Sequence, residues 1–228
     1  MKSIVFKSII ATLLPLILVA KHPELTPHDA RIKIDEILRA HATHHTLNQE
    51  IISRTLNNFF QELDPYYSYL IETEVFPWTK FSNDRLEEVV KKIKKEEFSV
   101  FLDMYDAMVQ SIERRRIIEA KIAQEALPED VDPEEFKDMT WAKTEAELES
   151  RLRRIYGLQM KTARRILTPD EQAQFKKRME KRRITREESL LTRDPLKKEH
   201  SIFTHLLKAV SSALDSQTSY FTPSEANQ

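Results

Sequence analysis

The sequence contains a single glycine, Gly157, among its 228 residues. Strand-rich catalytic folds and phosphate-binding loops need glycine wherever φ is positive or the backbone closely approaches a ligand. This chain has almost no position that meets either need. The composition therefore predicts an all-α fold with little or no sheet, in which turns built from proline, aspartate and serine join the helices.

The charged residues are numerous and balanced, with 36 basic and 37 acidic side chains. This balance gives no net electrostatic attraction to nucleic acid or to an anionic membrane. The chain has no cysteine, so it forms no disulfide bond. An exported protein without thiols fits a bacterial periplasm.

The first twenty residues, MKSIVFKSIIATLLPLILVA, predict a secretory signal peptide. Lys2 and Lys7 come before the apolar run 9–19, which ends on Ala20. The run is shorter than the roughly 20 apolar residues that span a bilayer. A retained N-terminal anchor is the alternative, and Leu18 favours it because a small residue is usual there. We expect cleavage, a periplasmic location and membrane contact only through this segment if it is uncleaved.

Capping residues and periodic apolar positions predict about seven helices within residues 21–213, followed by a junction segment over 214–228. The predicted helices begin at or just after Thr26, Thr46, Ser82, Glu97, Thr144, Thr168 and Asp194. The longest, from about Glu97 to Ala126, carries a wide apolar stripe and should be a central core element. Two prolines and six carboxylates mark 127–139 as an exposed acidic connector.

Three histidines, His41, His44 and His45, have the spacing that would place imidazoles on one helical face, as in zinc sites. The nearby sequence offers no obvious further ligand. The pattern therefore favours a polar helix end beside the Thr46 cap, with a metal-binding helical bundle as the alternative.

A basic run offers a second candidate surface, consisting of Lys176, Lys177, Arg178, Lys181, Arg182, Arg183 and Arg186. The run is interleaved with glutamates and lacks aromatic side chains on which bases could stack. We therefore expect a solvated helix face or a surface that docks an acidic neighbour, and no nucleic-acid partner.

The sequence provides no glycine-flanked nucleophile turn and no oxyanion-hole loop. The carboxylate pair Glu134 and Glu135 lies in the charged connector, where solvent would surround it. We predict that the chain contains no catalytic, cofactor-binding or metal-binding residue and needs no cofactor.

One short pattern occurs twice, as LDPYYSYL at Leu63–Leu70 and as LDSQTSYF at Leu214–Phe221, 151 positions later. The aligned identities are Ile51 with Ile202, Leu56 with Leu207, Leu63 with Leu214, Asp64 with Asp215, Ser68 with Ser219 and Tyr69 with Tyr220. Each copy predicts a helix that ends at an aspartate, whose carboxylate accepts N–H groups of the following turn. The aromatic pairs after it, Tyr69-Leu70 and Tyr220-Phe221, should turn back toward the core. Duplication and convergence on a similar helix exit both explain the pattern.

The second copy, within SSALDSQTSYFTPSEA, resembles the segment that directly precedes the PDZ domain in carboxy-terminal processing peptidases, the tail-specific proteases. That segment usually reads Leu-Asp-Pro-His, then Ser or Thr, Ser-Tyr, Phe or Leu, Ser or Thr, and Pro. This chain matches it at Leu214, Asp215, Thr218, Ser219, Tyr220, Phe221, Thr222 and Pro223. It departs at Ser216 and Gln217.

Three further stretches look like the helical N-terminal domain of the larger periplasmic members of that family. They are LNNFFQELDPYYSYLIETEVFPW, FSVFLDMYDAMVQSIERRR and WAKTEAELESRLR. The resemblance covers most of residues 30–226, and the order of the segments makes it more specific than the short motif.

The resemblance implies a periplasmic endopeptidase in which a PDZ domain recognises the substrate's C-terminus, and in which a serine nucleophile with a lysine base cleaves without a metal. None of those elements maps onto this chain, which looks like the non-catalytic N-terminal helical region and should be inactive alone. The implied partners are downstream PDZ and protease domains and protein substrates. A stand-alone envelope adaptor or chaperone without protease activity is the alternative.

A cluster of aromatic residues after the first motif, Phe76, Trp78 and Phe81, predicts an exposed apolar surface. Such a surface would serve self-association into a homo-oligomer, or form a wall facing the substrate.

Overall fold

The computed structural model describes residues 25–226, so the predicted signal peptide lies outside the described residues. Within this part of the chain the fold is all-α, as predicted, with eight helices of eight residues or more. They are α1 (Pro27–Ala40), α2 (Gln49–Leu63), α3 (Glu72–Thr79), α4 (Asn83–Lys94), α5 (Ser99–Ile122), α6 (Glu145–Ile166), α7 (Pro169–Leu190) and α8 (Pro195–Leu214). A short final helix, α9 (Pro223–Ala226), lies in the junction segment. The extended contact in this part of the chain is one isolated bridge between Ile71 and Ala142.

Side-chain caps set most of the helix starts where the sequence predicts them. Thr26, Ser82, Thr144 and Thr168 each accept the backbone N–H three residues on. The start of α2 is an exception, because Asn48 replaces Thr46 as the cap and accepts the Ile51 N–H at 2.9 Å. The predicted Thr46 cap was therefore wrong by two residues.

Helix α3 is the element that the sequence pattern did not reveal. It spans only eight residues, contains Pro77 and buries one side chain, that of Val75. The Glu74 carboxylate caps its start by accepting the Ile71 N–H at 3.0 Å. A helix this short, with a proline and almost no apolar periodicity, gives little signal in a sequence.

The main core lies between α2 and α8, which run in opposite directions and form the largest helix–helix contact of the described residues. Arg54, early in α2, donates to the Ala213 carbonyl late in α8, at 3.2 Å. Helix α5 packs against this pair and is the central element that its stripe predicted. Fully buried aromatic side chains fill the space between these helices, namely Phe59, Phe60, Phe101, Tyr105 and Phe203.

The acidic connector between α5 and α6 is only partly exposed, in contrast to the prediction. Its carboxylates face solvent, but Val131 is buried and Pro133–Phe136 forms a 3₁₀ turn. The connector crosses α6 at Gly157, where an added Cβ would lie 2.4 Å from the Pro128 carbonyl oxygen. The backbone of Gly157 has no positive φ. The single glycine therefore serves close packing of two backbones.

None of the helices in the described part of the chain is both long and apolar enough to cross a membrane.

Candidate functional site

The turn of the first motif is built around a fully buried carboxylate, that of Asp64. One oxygen accepts the Ser68 N–H at 2.9 Å, and the other accepts the N–H groups of Tyr69 and Leu70 at 2.9 and 3.1 Å. The turn also holds Tyr67 at a φ of 50°, in the left-handed region. This arrangement confirms the predicted helix exit, and Tyr69 and Leu70 return to the core as expected.

Arginine side chains from three different helices donate to the carbonyl oxygens of the same turn. The pairs are Arg186 with Leu63 at 2.6 Å, Arg151 with Tyr67 at 3.2 Å, Arg115 with Ser68 at 2.5 Å and Arg114 with Tyr69 at 2.6 Å. The N–H groups of the turn are thus satisfied by one carboxylate, and its carbonyl groups by four guanidinium groups. We call this assembly the arginine-ringed turn.

Beneath the turn, the fully buried carboxylate of Glu187 joins α7 to α5. It accepts hydrogen bonds from Arg183 at 2.7 Å, from Arg116 at 2.9 Å and from the Tyr69 hydroxyl at 3.2 Å. Burial raises the pKa of Tyr69 to about 12, so this hydroxyl remains a donor at neutral pH. A buried carboxylate needs such partners because an unpaired charge is costly in the interior.

A second carboxylate, Glu119, closes the network on the side of α6. It accepts hydrogen bonds from Arg115 and from the Tyr156 hydroxyl, both at 2.6 Å. Arg115 also donates to that hydroxyl oxygen at 3.1 Å. Burial raises the pKa of Tyr156 to about 12. The turn, α5, α6 and α7 are therefore connected by one continuous set of charge-assisted hydrogen bonds, which are stronger than neutral ones.

The chemistry of this network is structural. The groups are arginines, carboxylates and tyrosines that satisfy one another, and a serine or lysine nucleophile with an adjacent base is not among them. The arrangement can fix the angle between the α2–α8 core and the α5–α7 helices. It can also transmit a displacement of one helix to the others, since α5, α6 and α7 all donate hydrogen bonds to the same turn.

The second motif repeats the local hydrogen bonding at the surface. Asp215 accepts the N–H groups of Gln217 and Thr218 at 2.9 and 2.7 Å. Its other oxygen lies 2.7 Å from Nε2 of His41, at the end of α1. The hydrogen bond from His41 lowers the pKa of the Asp215 carboxyl group. This contact attaches the junction segment to the first helix.

After Asp215 the chain folds back onto α8. Tyr220 packs partly buried against the core, whereas Phe221 is 64% exposed, so the prediction that Phe221 turns inward was wrong. The Glu225 carboxylate binds Lys208 of α8 at 2.6 Å, and this hydrogen bond lowers the pKa of Glu225 to about 2. The junction is therefore held at two points, near its start and near its end.

A family model described as the tail-specific protease N-terminal domain matches residues 33–224, which is most of the chain. The chain belongs to this family. The predicted resemblance is thereby confirmed. A comparison with curated proteins found no match.

In this tail-specific protease N-terminal domain, the three candidate histidines do not share a helical face, because α1 ends at Ala40. His41 binds Asp215, and its Nδ1 lies 3.0 Å from the His44 N–H. His45 Nδ1 lies 3.4 Å from the Leu38 carbonyl oxygen. Within residues 25–226, no three potential ligands converge into a group that could hold a metal ion. The premise of the zinc alternative, a shared helical face, was wrong.

The aromatic surface after the first motif is smaller than predicted. Trp78 and Phe81 pack partly buried against the main core, and Phe76 is 41% exposed. Lys80 lies 5.4 Å from the centre of the Phe76 ring. The homo-oligomer prediction therefore rests on less exposed apolar area than the sequence indicated.

The basic run divides between two faces of α7. Arg183 and Arg186 point inward, toward Glu187 and the arginine-ringed turn. The other five basic side chains are exposed. A cleft of about 710 Å³ is lined by side chains of α5, α6 and α7, with Met160 and Met179 among them.

The arginine-ringed turn was missed at the sequence level, although one signal was available. Arg115 occupies a position on the apolar stripe of α5, between Ile112 and Ile118. A charged residue on a stripe that faces the core predicts a buried partner. The prediction that no catalytic, cofactor-binding or metal-binding residue lies in this chain stays a prediction.

Proposed function

We propose that this tail-specific protease N-terminal domain is the non-catalytic scaffold of a periplasmic serine endopeptidase that recognises protein substrates by their C-termini. In this proposal the domain fixes where the following PDZ and protease domains begin. The cleavage chemistry belongs to a serine and lysine in those domains, so residues 1–228 alone are inactive.

The observation that carries the proposal is the attachment of the junction segment. Here Asp215 binds His41 of the α1 terminus, and Glu225 binds Lys208, so the backbone between them has a defined path. The His41 side chain is 6% exposed, and its Nδ1 accepts the His44 N–H at 3.0 Å, so the ring that binds Asp215 is also held from its other side. A defined exit path is what a scaffold must supply to orient the next domain.

The first test is the coding sequence beyond codon 228. The proposal expects a glycine-rich PDZ pattern followed by a serine and lysine pair. A reading frame that ends there without those elements contradicts it and favours the stand-alone adaptor or chaperone.

The second test uses the protein with its downstream domains. The double variant His41→Ala, Asp215→Ala should retain its helical circular dichroism but cleave a model substrate with an accessible C-terminus several-fold more slowly. Small-angle scattering should show a larger radius of gyration. Asp103→Ala is the matched control, because Asp103 is exposed and makes no hydrogen bond or ion pair with the described residues. Unchanged cleavage and scattering in the double variant would show that the attachment does not orient the downstream domains.

Export and self-association form separate parts of the proposal. A mature N-terminus near residue 21 in the periplasmic fraction would support export, and an unprocessed cytoplasmic chain would contradict it.

Phe76→Ser should shift a concentration-dependent oligomer toward monomer if the exposed ring serves self-association. A monomer at high concentration in light scattering would contradict self-association and leave the proposed scaffold role unaffected.

A further inference from the structure

The outward face of α7 carries four basic side chains that we call the α7 stripe: Lys177, Arg178, Lys181 and Arg182. All four are exposed. None makes a hydrogen bond or an ion pair with another residue of the described range 25–226. Four cations therefore lie within six consecutive positions, and the nearby carboxylates of Glu171 and Glu180 form no ion pair with any of them among the described residues.

This arrangement differs from the other helices, where basic side chains pair with a carboxylate four positions away. Such pairs are Arg31–Asp35, Arg54–Glu50, Lys91–Glu87, Lys92–Glu88, Arg115–Glu119 and Arg151–Glu147. On α7 itself the pair of this kind is Arg183–Glu187, outside the stripe. The positions four residues away from the α7 stripe hold Ala173, Gln174, Thr185, Arg186 and members of the stripe itself. At a spacing of four the stripe therefore has no acidic partner, and Glu180, three positions after Lys177, forms no ion pair with it.

The arrangement also weakens the helix that carries it. Lys177 with Lys181 and Arg178 with Arg182 are like-charged pairs at a spacing of four, which destabilise a helix. Helix α7 has little packing to offset this, because only Glu187 and Leu190 are buried among its 22 residues. Both lie in its last turn. The stripe is therefore on a helix with few buried side chains. An anionic partner would relieve the repulsion between its like-charged side chains.

We propose that the α7 stripe docks an acidic protein segment that presents carboxylates at helical spacing. Residues four apart rise by about 6 Å along a helix, so glutamates at positions i, i+1, i+4 and i+5 of a partner helix match the stripe. Each arginine offers a planar fork for a carboxylate. The basic side chains of the stripe would then pair with carboxylates of a second chain, as basic side chains of the other helices pair with carboxylates of the same helix.

Other anionic partners fit the surface less well. The stripe lies on the convex side of a single helix, so it cannot enclose a small anion. It has no aromatic side chain for stacking bases. None of the large exposed apolar side chains of the described residues lies on α7, so the stripe has nothing to insert into a membrane.

The experiment measures binding of two labelled 20-residue peptides to the whole chain by fluorescence anisotropy. One peptide is helical with glutamates at i, i+1, i+4 and i+5, and the second has the same composition with glutamates spread around the helix. We expect the first peptide to bind at least tenfold more tightly, and its affinity to fall as salt rises. The quadruple glutamine variant of the stripe should bind it at least tenfold more weakly.

The matched control removes three charges from α4 and one from its C-cap residue, as K91Q, K92Q, K94Q and K95Q. Lys91 and Lys92 are already paired with glutamates, so this variant should bind the peptide as the unaltered chain does. Equal binding of both peptides, or equal weakening by both variants, would show that only net charge matters and would overturn the proposal.

Two further probes identify other partners. Vesicles with about one third anionic lipid and a short DNA duplex are titrated against the same variants. If the unaltered chain binds vesicles or DNA but not the peptide, and the stripe variant loses that binding, then the partner is a membrane or a nucleic acid. That result would overturn the proposal of an acidic protein segment. The measurement needs no protease domain, so its outcome is independent of the proposed scaffold role.

Discussion

Replacing the single glycine with alanine tests whether the connector is packed against α6. Gly157 lies inside α6, where alanine normally stabilises a helix by about 1 kcal/mol relative to glycine. In this structure the new Cβ would lie 2.4 Å from the Pro128 carbonyl oxygen and 3.1 Å from its Cγ. The oxygen belongs to the backbone, so no side-chain rotation relieves the contact.

The connector resists the displacement that the alanine requires. Separating the Cβ from the oxygen to an ordinary contact needs a shift of about 1 Å. Val131 is buried nearby, and its carbonyl accepts a hydrogen bond from Lys161 of α6 at 3.2 Å. Overpacking of this kind costs about 2–3 kcal/mol, and the helix propensity of alanine returns about 1 kcal/mol. We expect Gly157→Ala to lower the free energy of unfolding by about 1–2 kcal/mol.

Urea unfolding followed by circular dichroism measures this change. With an m-value of about 2–3 kcal/mol/M, the midpoint should fall by about 0.5 M. Thr162→Ala, at an exposed position of α6, is the control and should not lower the midpoint by a comparable amount. Adding Pro128→Ala to the glycine variant removes the crowded ring atoms and should restore part of the loss. A midpoint that rises for Gly157→Ala would refute the close packing of connector and helix.

Three further predictions concern the two motif turns and the charge network. Asp64→Ala leaves three buried N–H groups without their acceptor and should cost about 3–5 kcal/mol in urea unfolding. Asp215→Ala, at an exposed carboxylate, should lower the urea midpoint much less. Glu187→Gln removes a buried charge between two arginines and should cost about 3–5 kcal/mol in the same assay. Tyr69 and Tyr156 have pKa values of about 12 in the folded chain, against an ordinary value of about 10, so the folded state binds more protons between these values. The free energy of unfolding should therefore fall as pH rises from about 10 to 12, by up to about 1.4 kcal/mol per pH unit for each tyrosine.

The controls use neighbouring residues of the same type. Glu188→Gln changes an exposed carboxylate next to Glu187 and should leave the unfolding midpoint nearly unchanged. Tyr66 is 66% exposed, so Tyr66→Phe should leave the alkaline loss of stability as it is, and replacing both buried tyrosines by phenylalanine should reduce it. Equal costs for the two aspartate variants would contradict the contrast in burial. A stable Glu187→Gln variant, or a flat alkaline profile, would contradict the charge network.

Local features of the fold were predictable because they depend on neighbours in sequence. Four helix starts follow from a threonine or serine cap, and the carboxylate of Asp64 follows from the pattern of the motif itself. The start of α2 was misplaced because Thr46 and Asn48 are both residue types that cap helices well, and the sequence alone does not distinguish them. Helix α3 was missed because Pro77 makes the segment look non-helical in the sequence. The helix is stabilised by tertiary contacts, including the ion pair between Glu74 and Arg114.

The arginine-ringed turn was not predictable in the same way. Its donors lie between 45 and 123 positions from the carbonyl groups that they bind. A single sequence shows that α5 and α7 are rich in arginine, but it does not show which arginines face inward. Arg115 could be inferred from its place on an apolar stripe. Arg151 and Arg186 lie on mixed faces, where a solvent-exposed side chain was the simpler expectation.

The two copies of the motif show how one local solution serves two different positions. In both, an aspartate ends a helix and accepts N–H groups of the next turn, so the sequence identity reflects the same backbone requirement. In the first copy Asp64 and residues 68–70 are buried, and this is possible because Asp64 accepts their N–H groups while arginines donate to the carbonyl groups. The second copy has one histidine in place of that ring, and its aspartate side chain stays 43% exposed. The same turn therefore connects helices in the interior where arginines surround it, and leads the chain out along the surface where they do not.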